Sequence, residues 1–300
     1  MKKIKIRLPA TMTNLGPGLH SLGLALDLYT SVEISGRTDQ QIVLETSGEG
    51  ANRYPISLKH PVVLGIGRFF QHLEKAHLGI NIRVENQIPL QSGLGAEAAM
   101  MMAGILGANF LMNNLYKRTE LLEIAAESIR PDHVVTTVLG GLTASLMREG
   151  ELIYRTLPVT PVKLIVVVPQ MDNYKLKPLP ERVALADTLH NISAIPILLE
   201  ALRVGDLKLL ANVVEDKLNA PRIIAAINGF NSAVEAGRRM GALAVTVIGD
   251  GPALLALAEN RHERIADEIR LALREAGVTA RTWVLPIDTQ GVVISAMQSA

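Results

Sequence analysis

Three glycine-rich segments hold the residues of this 300-residue chain whose types and spacing could do chemistry. They are Pro9 to Gly23 (PATMTNLGPGLHSLG), Ile88 to Ala99 (IPLQSGLGAEAA) and Ile248 to Leu255 (IGDGPALL). In the second, Gly93-Leu94-Gly95 stands between a strand pattern and a helix of small residues. That order suits an anion. Glycines let the backbone approach a phosphate, and a helix N-terminus offers free N–H donors and the positive end of a dipole. Taken alone, the same GLG reads more simply as a tight turn. No GK[ST] follows it, which excludes a P-loop NTPase, and no GxGxxG opens a helix, which argues against a Rossmann dinucleotide site. Cysteine is absent, so thiolate metal sites, disulfides and cysteine nucleophiles are excluded. His72, His77, His190 and His262 lack metal-ligand spacing, and Ser21 and Ser92 lack a paired base, so no histidine metal cluster or nucleophilic triad is expected.

The elements that position these segments follow from periodicity. Residues 2 to 8 alternate charged and apolar, as a half-buried strand does, and 24–35, 41–46 and 80–87 read as further strands. Pro61 opens a helix with Val62, Ile66, Phe69, Phe70 and Leu73 on one face. A turn at 89–97 leads into a helix through about Asn113. The next helix runs from Thr119 to about Ile129. Leu121, Ala125, Ser128 and Ile129 share one of its faces, and Glu120, Glu123 and Glu127 the other. Residues 130–148 turn back through Gly140-Gly141 into a strand. Pro158 and Pro161 bracket a linker, giving an expected division into 1–157 and 158–300. The second half predicts strand 163–168, a loop at 169–180, helices at 188–204, 206–217 and 228–240, a strand–turn–strand over 243–257, a helix at 261–276, and strands at 279–286 and 290–296. The fold class is α+β, in two layers, twice.

Composition narrows the function classes. Apolar residues make up 48% and charged residues 20%, which suits packed cores rather than disorder. Thirty Lys and Arg against 29 Asp and Glu leave no basic excess for a nucleic-acid partner. Leu164 to Val168 is far short of a bilayer span, and the alternating N-terminus does not read as a signal peptide. The expectation is a soluble, cytoplasmic chain with no membrane partner. A homodimer is left open.

Together, and in this order, the three segments resemble the GHMP kinases, whose motifs run P-A-T-x-x-N-L-G-P-G-F-D-x-L-G, P-x-x-x-G-L-G-S-S-A-A and S-G-x-G-P-T. Homoserine kinase is the nearest member. Arg130 to Leu142 (RPDHVVTTVLGGL) is similar to the family's HPDNVAPALLGGL, and Leu179 to Ser193 and Asp216 to Pro221 add further likeness. The resemblance covers almost the whole chain. It implies an N-terminal domain like ribosomal protein S5 domain 2, a ferredoxin-like C-terminal domain, and ATP between them. It also implies γ-phosphoryl transfer to the hydroxyl of a small metabolite, homoserine, in threonine biosynthesis, with Mg²⁺ as the metal.

By the same resemblance, Pro89, Ser92, Gly93, Leu94, Gly95, Ala96, Glu97 and Ala98 are expected to hold ATP. Asn14, His20, Arg130, His133, Lys175, Arg222, Gly249 and Gly251 are expected to meet substrate. The matches are mostly glycine, proline and apolar residues, whereas the polar positions have changed. Glu97 stands where the family has a Mg²⁺-binding serine, and Ser128 where it has the partner glutamate. Either the pair is exchanged and Mg²⁺ still bridges Glu97 and Ser128 to the phosphates, with Asn14 completing the catalytic set, or the metal site is lost. Without metal, a carboxylate about 4 Å from a phosphate costs roughly 4 kcal/mol at an effective dielectric of 20. The family's ammonium-binding Asp is His20, its HPDN His is Arg130, and its Asn is His133. The family's first carboxylate-binding Arg falls in Asp172 to Lys177, where Lys175 or Lys177 could replace it, and the second falls beside Arg222. So basic a pocket predicts an anionic alcohol as the alternative substrate, and a non-catalytic ligand-binding relative as the third reading.

Overall fold

A computed structural model describes residues 2–54, 57–76, 79–171 and 174–297. In chain order the first half holds β1 (Lys3–Thr13), β2 (Leu22–Gly36), β3 (Ile42–Gly48), α1 (Pro61–His72), β4 (Ile80–Asn86), α2 (Ala96–Leu111), α3 (Arg118–Ala126), α4 (Pro131–Leu139), β5 (Leu142–Arg148) and β6 (Glu151–Leu157). The second half holds β7 (Lys163–Pro169), α5 (Leu185–Val204), α6 (Leu207–Val213), α7 (Ala220–Ile224), α8 (Phe230–Met240), β8 (Ala244–Val247), β9 (Leu254–Leu257), α9 (His262–Glu275), β10 (Ala280–Pro286) and β11 (Val293–Met297). Among the described residues no helix is long and apolar enough to cross a membrane.

The first sheet has seven strands, with the path β11-β1-β2-β4-β3 and the β5–β6 hairpin attached to β2. Its last strand comes from the far end of the chain: β11 pairs antiparallel with β1, Ile6 opposite Ile294. The alternation of β1 is realised as expected. Ile4, Ile6 and Leu8 are buried, and Lys3 and Lys5 pair with Glu33 on β2. The strand does not stop at residue 8, however. It runs on, fully buried, to Thr13. Pro9 has no N–H to give, and the register shifts between Pro9 and Ala10, a bulge that accommodates it. This extension carries Thr11, Thr13 and then Asn14 to the site.

Pro131–Leu139 is a helix, α4, which corrects the expected turn. The β-branched run Val134-Val135-Thr136-Thr137-Val138 favours strand locally. Pro131 at the first helical position and burial of Val134, Val135 and Val138 in the core override that preference. The second correction is β6. It returns from β5 through Glu149 and Gly150, both at positive φ, as a two-residue hairpin turn requires.

The second sheet, β10-β7-β9-β8, is antiparallel throughout. The apolar run of β7 is explained by its two buried faces. Leu164, Val166 and Val168 point into the large core shared with the first sheet. Ile165 and Val167 point into a second core beneath α8 and α9. The two sheets are thus packed through a common core, and the loops at their junction form the site.

Candidate active site

The three glycine-rich segments meet. Thr11 donates its N–H to the Leu94 carbonyl (3.0 Å), Gly249 to that of Thr13 (2.8 Å), and Ala253 to that of Ser92 (3.2 Å). The second and third segments touch backbone to backbone, since a Cβ on Gly251 would lie 2.1 Å from the Ser92 carbonyl carbon. Gly249 and Gly251, expected to meet substrate, pack against the Ser92–Gly93 backbone of the second segment.

Gly95 caps α2 at φ +73° and has no side chain to satisfy the helix start. A Cβ there would sit 2.1 Å from Thr11 Oγ1. The first backbone bond of the helix runs from Ala99 N–H to the Gly95 carbonyl. The N–H groups of Ala96, Glu97 and Ala98 precede it and have no acceptor among the described residues. They open on a cleft of about 470 Å³, which Pro89, Gly93, Leu94 and Gly95 also line. The opening is not blocked, and donors and helix dipole suit a phosphate there. Ser92 lines the cleft as well and has a local part in the loop. It is buried, its hydroxyl donates to the Pro89 carbonyl (2.7 Å) and accepts from Leu94 N–H (3.2 Å), so it braces the loop.

At the other end of the cleft lies a charged cluster assembled from distant parts of the chain. Arg130, which precedes α4, grips the buried Asp132 through Nε (3.1 Å) and Nη2 (2.6 Å). Its Nη1 donates to Asp250, on the loop between β8 and β9. Arg222 of α7 reaches the same Asp250 through Nη2 (2.9 Å). Asn14, buried and at φ +50°, donates to the Gly249 carbonyl and to Asp250 (3.1 Å each) and accepts from the backbone N–H of His20 (2.9 Å). Its amide ties the first segment to the third.

The basic pocket expected from sequence is corrected by these pairings. Two arginines face two carboxylates, and both histidines lean to the neutral form. Burial pushes His133 down to about 4, and its ring nitrogens are engaged by Thr11 Oγ1 (2.7 Å) and Thr13 Oγ1 (3.2 Å). His20, exposed at the rim, is lowered by partial burial and by Arg130. Lys175 is exposed and lies outside the cleft lining. Its neighbours meet the cluster instead: Lys177 accepts from Arg222 through its carbonyl (2.6 Å), and Tyr174, pushed up to about 12 by burial, responds to Arg222 and Asp250. Asp172 and Asn173 lie outside the described residues.

Glu97 and Ser128 line the same cleft. Ser128 lies just past the end of α3, and Glu127 faces a separate hollow with His72 and Tyr116. The Tyr54 hydroxyl donates to Glu97 (2.5 Å). Among the described residues no group of three or more His, Asp or Glu side chains could hold a metal. A preformed cage is therefore not built. One carboxylate and one hydroxyl on a phosphate-sized cleft do fit a Mg²⁺ that arrives with phosphates, since that ion usually takes one or two protein oxygens and keeps the rest for phosphate and water.

Residues 62–141, from α1 through the loop to Gly141, match the GHMP kinases N terminal domain. The homoserine kinase of Moorella thermoacetica is 31% identical over 294 residues, covering 96% of this chain and 99% of its own. That of Nostoc punctiforme is 30% identical over 296 residues, covering 96% and 97%. The chain belongs to the GHMP kinase family. It is a homoserine kinase-like, ATP-dependent member. The crystal structure of homoserine kinase from Cytophaga hutchinsonii superposes with a TM-score of 0.81 at 24% identity, covering 98% of this GHMP kinase and 97% of that chain, which supports the fold. Sequence reasoning about this GHMP kinase missed Asp250, Tyr54 and Tyr174. The one local signal was an aspartate between two glycines in Ile248-Gly249-Asp250-Gly251.

Proposed function

We propose that this protein transfers the γ-phosphoryl group of ATP to the hydroxyl of homoserine, a step of threonine biosynthesis. The observation that carries the reading is the pairing of an open phosphate cradle with a charge-balanced cluster on one cleft. A homoserine zwitterion has no net charge and matches that balance. The anionic-alcohol alternative needed a cationic excess, which Asp132 and Asp250 offset.

Catalysis in this reading is positioning and electrostatics. The N–H groups of Ala96, Glu97 and Ala98 hold phosphate oxygens at the start of α2. Glu97 and Ser128 would hold Mg²⁺, which neutralises charge on the phosphates when bound. Asn14 positions the Asp250 loop, and Arg130 fixes the floor through Asp132. His133, neutral and held by two threonines, places uncharged polar surface beside the phosphates. The domain reading stays with 1–157, ribosomal protein S5 domain 2-like, and 158–300, ferredoxin-like. We keep the expectation of a small-molecule substrate with no nucleic-acid or membrane partner. A homodimer would find apolar surface on α5, where Leu185, Leu189 and Ile192 are exposed.

The test is ADP release from Mg-ATP by the purified protein. Release that depends on homoserine and not on anionic alcohols is the expected result. Release only with anionic alcohols would transfer the reading to the alternative. No turnover together with no ATP binding by calorimetry would end the kinase reading.

A further inference from the structure

An amino-acid substrate presents an ammonium, and that group needs an accessible anion. The cluster holds two carboxylates. Asp132 is 1% exposed and both its oxygens are taken by Arg130. Asp250 has a side chain 37% exposed and lines the cleft. It accepts from Arg222 and Asn14 on Oδ1 and from Arg130 on Oδ2. An ionised carboxylate has about four acceptor sites, so one remains. The other carboxylate that lines the cleft, Glu97, stands in the first turn of α2 beside the free helix N–H groups and is bonded to Tyr54. It serves the opposite end. Beside Asp250, Arg222 uses three of the five guanidinium donors, on Asn219, Lys177 and Asp250. The buried Tyr174 hydroxyl has no partner among the described residues.

We propose that Asp250 binds the ammonium group of the amino-acid substrate. The inference rests on homoserine as substrate. Three donors hold Asp250 in place on the cleft wall with one acceptor site left over, and the adjoining Arg222 keeps two donors for the opposite end of the zwitterion. The site is thus a preformed ion pair into which a zwitterion fits without a change in net charge. A charged hydrogen bond of this kind is worth roughly 10- to 100-fold in affinity.

The experiment compares two ligands that differ only in the ammonium. Homoserine and 4-hydroxybutyrate are titrated by calorimetry into the full chain and into Asp250→Asn, with and without a non-hydrolysable ATP analogue. The expected result is that the parent prefers homoserine, and that Asp250→Asn loses roughly 10- to 100-fold on homoserine while 4-hydroxybutyrate is unchanged. Equal losses on both ligands would mean that Asp250 only shapes the cleft, and would overturn the proposal. So would a parent that binds the two ligands alike. Asp250→Glu, which keeps the charge, is expected to restore part of the preference. Binding with the expected pattern but without phosphoryl transfer would end the kinase reading and leave this inference standing.

Discussion

The two ends of the cleft are built from different materials. The end proposed for phosphate is backbone: Gly93, Gly95, Gly249 and Gly251 pack so closely that a single Cβ would meet a neighbour at 2.1 to 2.6 Å. The end proposed for the amino acid is charge: the Arg130–Asp132 pair, Arg222 and Asp250 come from three parts of the chain and neutralise one another. The donors proposed for phosphate at the first end are peptide N–H groups, which no side-chain substitution removes directly. The second end depends on its side chains, above all on Arg130, whose removal would leave the buried Asp132 without its cation.

The largest effect that would break this contrast is expected from Arg130→Met. Asp132 would keep its burial and lose its cation, and Asp250 would lose one of three donors. The expected cost is about 3 kcal/mol of folding stability, read by urea unfolding, with homoserine binding lost as well. If Arg130→Met unfolds like the parent, the cluster is a solvated surface network. Gly251→Ala probes the other end. Its methyl group would press on the Ser92 carbonyl and Gly93 N–H, which are backbone and cannot swing away. A loss of about 2 kcal/mol is expected, with ATP-analogue affinity falling before homoserine affinity. Equal loss of both ligands would mean that the two ends are one mechanical unit.

The same contrast explains what was legible in the sequence. A glycine forced by close approach leaves a pattern of residue types at short spacing, so the Gly93 to Gly95 turn, the strand before it and α2 behind it could all be read. Ion pairs leave no such pattern. Arg130 and Asp132 sit two residues apart, but Asp250 lies 120 residues from Arg130 and 28 from Arg222. Without the fold, the basic members stood out and the carboxylate that balances them did not. The missed helix α4 has a related cause, because its β-branched residues state a local preference that burial in the shared core reverses. Ser128 was placed on one helical face with Leu121 and Ala125; the helix ends at Ala126, and Ser128 lies just past its end and lines the cleft.

His133 joins the two ends, and the smallest expected effect sharpens how. A Cβ on Gly95 would lie 2.9 Å from its Nδ1, and Thr11 and Thr13 hold both nitrogens. Burial lowers it to about 4 from an ordinary value of 6.5. The native state therefore prefers the neutral ring, while the unfolded chain takes up a proton first as pH falls. Stability from this preference is full above pH 6.5 and is lost as pH drops toward 4. The full linkage at pH 5 is about 2 kcal/mol, and about half of that is expected for a ring only partly shielded from solvent. His133→Asn removes the titration. Parent and variant unfolded in urea at pH 7 and pH 5 should differ in their pH response by about 1 kcal/mol, the parent losing more. His60, also lowered to about 4, is present in both and cancels. Parallel pH responses would mean that His133 charges freely in the folded protein. The phosphate end would then sit beside a ring that becomes a cation as pH falls below about 6.5, and the division between a backbone end and a charged end would not hold there.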